Sequence, residues 1–139
     1  MPISVSVEYS YGMCPLHMRR AADKACQWYS DQVLDKHFLQ VVLVNASVIG
    51  TATKNSYGDH GIIWYEEKCE EKELFVIQVA ANLECLNKKR EDTINVMLST
   101  IFHEFVHYEQ LRDGKKIWER GVDKRAKKLL EEFNEDVDV

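Results

Sequence analysis

The chain begins with a strict alternation of hydrophobic and polar residues. Hydrophobic side chains occupy every second position from Ile3 to Tyr9, with serines and a glutamate between them. Such a period of two is typical of a half-buried β-strand. From Pro15 to about Lys36 the hydrophobic residues recur at helical spacing, and proline suits the first turn of a helix. The pattern therefore predicts a strand followed by an amphipathic helix.

Three short hydrophobic segments in the middle of the chain predict further strands. The run Leu39–Val44 is rich in β-branched residues and ends at Asn45, which is typical of a buried strand. Two more hydrophobic segments, Ile62–Glu66 and Leu74–Ala80, flank the charged stretch Glu67–Glu73. This arrangement favours an antiparallel hairpin.

The C-terminal part of the chain has the hydrophobic period of two helices. Asp92 or Thr93 can cap a helix that runs to Arg112, and Gly114 can close it. A last helix is predicted over Lys116–Phe133, followed by a short acidic tail.

Composition is consistent with one folded domain spanning residues 1–139, in which the acidic residues 134–139 are expected to fray. The chain is 45% hydrophobic and 29% charged, and we identify no repeat or linker. A net charge of -5 argues against direct nucleic-acid binding. The N-terminal residues lack a basic leader, and no segment approaches the roughly 18 apolar residues that a membrane span needs. We therefore expect a soluble, cytoplasmic protein with no membrane partner.

The predicted helix before Gly114 contains the motif HExxH, in the stretch His103-Glu104-Phe105-Val106-His107. At about 100° per residue the two histidines lie about 40° apart, so both imidazoles can contact one metal ion. A catalytic zinc site keeps one position open for water, and Glu104 is placed to accept a proton from that water. The motif predicts His103 and His107 as zinc ligands and Glu104 as the catalytic base.

The last predicted helix offers a third ligand. Within that helix, Glu119 and Asp123 lie on the same side as the apolar residues, and the lysines lie on the other. Carboxylates on an inward face need partners. Zinc for Glu119 and the N–H of a ligand histidine for Asp123 would supply them. Ion pairs with lysine or arginine from elsewhere are the alternative.

An HExxH motif followed by a helix with Glu-x-x-x-Asp resembles the gluzincin metallopeptidases, and the segment from Glu119 resembles the glutamate helix of minimal zincins of the ImmA/IrrE type. The resemblance implies an α+β, zincin-like fold in which a small mixed β-sheet packs with an N-terminal helix, an active-site helix and a C-terminal glutamate helix. It also implies that zinc is bound by His103, His107 and Glu119, that Glu104 is the base, and that Asp123 orients a histidine.

We therefore expect a zinc metallopeptidase that hydrolyses peptide bonds in a selective protein or peptide substrate. Zincins commonly bind substrate as an added strand, and the hairpin Ile62–Ala80 is the candidate edge. Tyr108, His60 and Tyr57 are candidates to stabilise the oxyanion, with Tyr108 favoured because it adjoins the motif. The alternative is a non-catalytic binding or regulatory module with a zincin fold. Substrate identity and oligomeric state stay open.

Overall fold

The computed structural model describes residues 4–10, 16–32, 38–44, 61–67, 73–80, 90–116 and 118–137. Four strands and three helices lie in these ranges. In chain order they are β1 (Ser4–Ser10), α1 (Leu16–Gln32), β2 (Phe38–Val44), β3 (Gly61–Glu67), β4 (Glu73–Ala80), α2 (Arg90–Arg112) and α3 (Val122–Asp136).

The strands form one mixed sheet in the order β1-β2-β4-β3. Strand β2 lies between β1 and β4 and is parallel to both. Strand β3 pairs antiparallel with β4, with Ile63 opposite Ile77, so the predicted hairpin is confirmed. The sheet with its helices confirms a small mixed α+β architecture, in which β3 is an edge strand.

Strand β2, predicted as a buried strand, has one fully buried face. Leu39, Val41 and Leu43 of β2 are fully buried, and Val42 between them is only partly so. Helix α1 contacts β1 and α2. Its buried residues recur at the predicted helical spacing; they are Met18, Ala21, Ala22, Ala25, Cys26, Trp28 and Tyr29.

Helix α2 is the central element of the domain, since it packs against α1, α3, β3 and β4. Its middle is therefore buried on nearly every side. The ring of Phe105 stacks on Tyr29 at 4.1 Å between centroids, and Phe102 meets Trp28 edge-on at 5.9 Å. Between residues 101 and 108, His103 alone keeps intermediate exposure. This packing fixes the helix on which the HExxH motif lies.

The C-terminal end of α2 lies where the sequence predicted it, and the N-terminal end does not. The helix begins at Arg90, so Asp92 and Thr93 lie inside its first turn and do not cap it. Gly114 closes the helix as predicted, with a φ of 74° that suits glycine. Its N–H donates to Leu111 O at 3.0 Å, and the next N–H donates to Gln110 O at 2.8 Å, which is a Schellman motif. This turn reverses the chain.

The last helix begins later than predicted. Helix α3 starts at Val122 because Gly121 adopts a left-handed conformation, with φ 81°, that interrupts any helix from Lys116. It continues to Asp136, three residues beyond the predicted end at Phe133. Glu119 therefore lies in the segment that precedes the helix. None of the described helices has the length and hydrophobicity that crossing a membrane requires.

Candidate metal centre

Two histidines on α2 form the base of the centre. They lie one turn apart, and their Nε2 atoms approach to 3.1 Å. The imidazole rings are nearly perpendicular, with centroids 4.7 Å apart. His107 is buried and His103 is half-buried, so the pair lies where the packed middle of α2 meets the surface. The prediction that both side chains share one face of the helix is confirmed.

Glu119 reaches both histidines from the segment between α2 and α3. Its Oε1 lies 2.9 Å from His107 Nε2, and its Oε2 lies 3.3 Å from His103 Nε2. One ligand atom from each of the three residues lies within 4.8 Å of the others. The structure thus brings together His103, His107 and Glu119 in a cluster that can bind a metal ion.

The outer nitrogen of His103 is held by a carboxylate. Its Nδ1 lies 2.9 Å from Asp123 Oδ1, on the first turn of α3. Since an ionised carboxylate only accepts hydrogen bonds, Nδ1 must carry the hydrogen. This is the contact predicted for Asp123, and in the neutral imidazole it leaves a lone pair on Nε2.

The outer nitrogen of His107 is held by a residue to which the sequence analysis gave no role. Its Nδ1 lies 2.9 Å from Gln110 Oε1. The same oxygen accepts the backbone N–H of Trp118 at 3.1 Å, and Gln110 Nε2 donates to Trp118 O at 2.8 Å. Because a backbone N–H can only donate, the amide oxygen must face it. His107 Nδ1 is therefore also a donor.

These contacts leave four acceptor atoms facing one another. Both Nε2 atoms present lone pairs when the imidazoles are neutral, and they meet the two oxygens of Glu119 at 2.9 to 3.3 Å. A proton on one Nε2 would relieve part of the repulsion, but protons on both would place two imidazolium ions 3.1 Å apart. A single cation between these atoms satisfies all of them.

The donor set fits zinc. Two imidazole nitrogens and one carboxylate are the protein ligands of one type of catalytic zinc site. Ligand atoms bound at about 2.0–2.2 Å around a tetrahedral zinc are separated by roughly 3.3–3.5 Å. The observed separations of 2.9 to 3.3 Å are slightly shorter. A small outward movement of the exposed Glu119 side chain and a slight separation of the two imidazoles would match them.

The prediction that Glu119 and Asp123 lie on the inward face of the last helix is wrong, although both carboxylates contact the histidines as predicted. Their side chains are 71% and 93% exposed, so neither lies on an inward face. Glu119 precedes α3, and Asp123 follows the buried Val122 by about 100° around the helix. The apolar side of α3 is formed by Val122, Ala126, Leu129 and Phe133.

The other predicted site residues are Glu104, Tyr108 and two residues outside the described part of the chain. Glu104 is next to His103 on α2 and is 5% exposed. Tyr108 is fully buried, with the guanidinium of Arg112 5.9 Å from its ring centroid. The structure therefore places Tyr108 in the core, and its role at an oxyanion stays a prediction. His60 and Tyr57 lie outside the described residues.

No role was predicted for Gln110, although its position in the sequence indicates a contact with His107. It lies three residues after His107, which puts the two side chains next to each other on a helix. Its second partner, Trp118, was not predictable from spacing because it depends on how the chain reverses after Gly114.

Only the geometry of this centre bears on function. Comparisons with protein families, curated proteins and solved structures find no match to this chain.

Proposed function

We propose that this protein is a zinc-dependent peptidase in which His103, His107 and Glu119 hold the metal. The observation that carries the proposal is the convergence of both Nε2 atoms on the Glu119 carboxylate, while each Nδ1 is held by an acceptor on its other side. Such a cluster of acceptors is costly without a cation. Catalytic zinc sites use this donor set, and the HExxH spacing of the two histidines is typical of them.

Three protein ligands favour a catalytic site over a structural one. A structural zinc is closed by four protein ligands, whereas a catalytic zinc keeps a position for water or substrate. Among the described residues, the cluster contains three His, Cys, Asp or Glu side chains. Asp123 is engaged by His103 Nδ1 and does not complete the set. The exposure of Glu119 leaves the centre accessible to a substrate from solvent.

Zinc, when bound, would lower the pKa of a water molecule from 15.7 to about 7 and supply a nucleophile at neutral pH. Glu104 adjoins His103 on α2 and would take the proton from that water and pass it to the leaving amine. Its burial in the packed part of α2 restricts the movement of the carboxylate. His103 and His107 are oriented by Asp123 and Gln110, so the ligands need little reorganisation.

An extended peptide is the substrate class that the sheet favours. Strand β3 is at one edge of the sheet, and none of the other described strands pairs with its outer side. Helix α2 packs against β3 and β4, so a peptide added to β3 would run beside the helix that carries the histidines. The seven residues of β3 offer few binding positions, so we expect a selective substrate and weak cleavage of casein-like proteins.

Glu104→Gln is the test of the peptidase proposal. The amide preserves the shape of the side chain but cannot accept a proton, so the variant should bind about one zinc per chain and lose hydrolysis. We would measure zinc by mass spectrometry and cleavage on a broad library of folded and unfolded protein substrates. A variant with wild-type turnover would remove Glu104 from the mechanism.

The same experiment separates the peptidase from its alternative, a non-catalytic binding or regulatory module with a zincin-like fold. That module would cleave nothing in the library, whether or not Glu104 is present. Cleavage that requires both zinc and Glu104 excludes it. A chain that stays free of metal after purification with zinc and without chelator excludes the peptidase.

A further inference from the structure

The side chain of Gln110 links two of the three candidate ligands. It contacts His107 directly, and it contacts the backbone of Trp118, the residue before Glu119. We infer that Gln110 is a positioning residue that fixes the tautomer of His107 and the place of Glu119 with one amide group. The inference rests on the proposed zinc site.

Three hydrogen bonds fix the orientation of this amide. Its oxygen accepts from Trp118 N and from His107 Nδ1, and its nitrogen donates to Trp118 O. Rotation of the amide by 180° would place its NH₂ against two donors and its oxygen against a carbonyl. All three hydrogen bonds would be lost. The backbone of Trp118 therefore determines which atom His107 meets, and so which tautomer His107 adopts.

The same contacts hold the segment that carries Glu119. Both polar backbone atoms of Trp118 are bound by Gln110 on one side of Glu119. On the other side, the carbonyl of Glu119 accepts the N–H of Val122 at 3.2 Å, at the start of α3. Glu119 has a largely exposed side chain, so few packing contacts hold it. Its approach to the histidines thus depends on a backbone held at both ends.

Glutamine is the residue type that this position requires. Glutamate could accept from Trp118 N and His107 Nδ1, but it would set a carboxylate oxygen against Trp118 O. Methionine has a similar length and makes none of these hydrogen bonds. The two substitutions therefore separate the link to His107, which glutamate keeps, from the link to Trp118 O, which both lose.

The experiment compares Gln110→Met and Gln110→Glu with the wild-type chain. The matched control is Gln27→Met on α1, where the amide donates to Asp31 at 2.9 Å on the exposed surface. Zinc affinity would be measured by competition with a chromophoric chelator. In the metal-free protein, imidazole ¹⁵N NMR would report the tautomer of His107, and amide hydrogen exchange would report the order of Trp118.

Gln110→Met should weaken zinc binding by roughly 10- to 100-fold, the range typical of a lost outer partner of a ligand histidine. Its His107 should populate both neutral tautomers, and its Trp118 amide should exchange faster. Gln110→Glu should keep the wild-type tautomer of His107, and its zinc affinity should lie between those of the wild type and Gln110→Met. Gln27→Met should match the wild type in all three measurements.

Wild-type zinc affinity and a wild-type tautomer in Gln110→Met would overturn the inference. If that variant does not fold, Gln110→Glu decides: it should still bind zinc more weakly than the wild type, and equal affinity would count against the inference. A wild-type chain that binds no zinc would defeat the proposed function alone. The tautomer and exchange measurements need no metal and would still decide the role of Gln110.

Discussion

The carboxylates of two glutamates, Glu109 of α2 and Glu119 of the segment after it, lie on opposite sides of α2 and differ in what surrounds them. Glu109 accepts a hydrogen bond from the hydroxyl of Tyr29 at 3.0 Å, and Arg125 Nε lies 3.6 Å from its other oxygen. Glu119 meets the Nε2 atoms of two histidines, whose hydrogens are held elsewhere at Nδ1. One carboxylate has a fixed donor and a fixed cation from the protein, and the other faces acceptors.

The cluster at Glu109 is a structural link between three helices. Tyr29 belongs to α1, Glu109 to α2 and Arg125 to α3. Burial first, and the Glu109 carboxylate second, raise the pKa of Tyr29 well above its ordinary value, so the hydroxyl keeps its hydrogen. The charge of Glu109 is thus satisfied within the protein. The two carboxylates therefore differ in their partners as well as in their exposure, since the side chain of Glu109 is 16% exposed and that of Glu119 is 71% exposed.

Among the variants that distinguish the region around Glu119 from the region around Glu109, Glu119→Gln should have the largest effect on zinc affinity. It removes a charged ligand, so zinc affinity should fall by more than the roughly 10- to 100-fold expected for an outer partner. The metal-free variant should be as stable as the wild type or more so, because one charge leaves a cluster of acceptors. Chelator competition and urea unfolding of the metal-free chain measure the two effects. Unchanged zinc affinity would exclude Glu119 as a ligand.

Asp123→Ala should produce the next largest effect. It removes the acceptor that holds His103 Nδ1 and leaves the three candidate ligands in place, so zinc affinity should fall by roughly 10- to 100-fold. Asp136→Ala is the control. The exposed Asp136 at the end of α3 accepts a hydrogen bond from Trp28 and does not contact the metal centre. If both variants bind zinc like the wild type, the contact at His103 contributes nothing to the site.

Glu109→Gln should lower the stability of the protein and leave its zinc affinity unchanged, which is the reverse of the effect of Glu119→Gln. The amide still accepts from Tyr29 but no longer attracts Arg125, which is nearly half exposed, so the free energy of unfolding should fall by about 1 kcal/mol. Zinc affinity should stay within about twofold of the wild type, since the contacts of Glu109 lie on the far side of α2 from the histidines. A large loss of zinc binding here would remove the distinction between the two regions.

Hydrophobic patterns predicted much of the fold. The helical spacing up to Tyr29 corresponds to the buried positions of α1, and the hydrophobic runs that include Val41 and Ile77 form buried strands. The HExxH pair was predictable because residues four apart share a face of any helix. Gly114 was predictable as a helix end because glycine tolerates its positive φ.

The segment between α2 and α3 was not predictable from periodicity. Residues from Lys116 onward have the composition of a helix, yet Gly121 has φ 81° and α3 begins after it. Glu119 is therefore placed by the turn at Gly114 and by the hydrogen bonds of Trp118, which are long-range features of the fold. The approach of Glu119 to the histidines was predicted from a helical face that does not exist at that position.

The smallest predicted effect concerns the indole of Trp118, which is 64% exposed beside the centre. Gln110 contacts only the backbone N–H and C=O of Trp118, and alanine retains both groups. Trp118→Ala should therefore change zinc affinity by less than about twofold, and the amide at position 118 should keep its slow hydrogen exchange. Gln110→Met, which leaves the indole intact, should alter both properties. If the zinc affinity of Trp118→Ala instead fell as far as that of Gln110→Met, the side chain of Trp118 would hold Glu119 in place. The contrast between a link through the backbone at Trp118 and an ion pair between side chains at Glu109 would then be wrong.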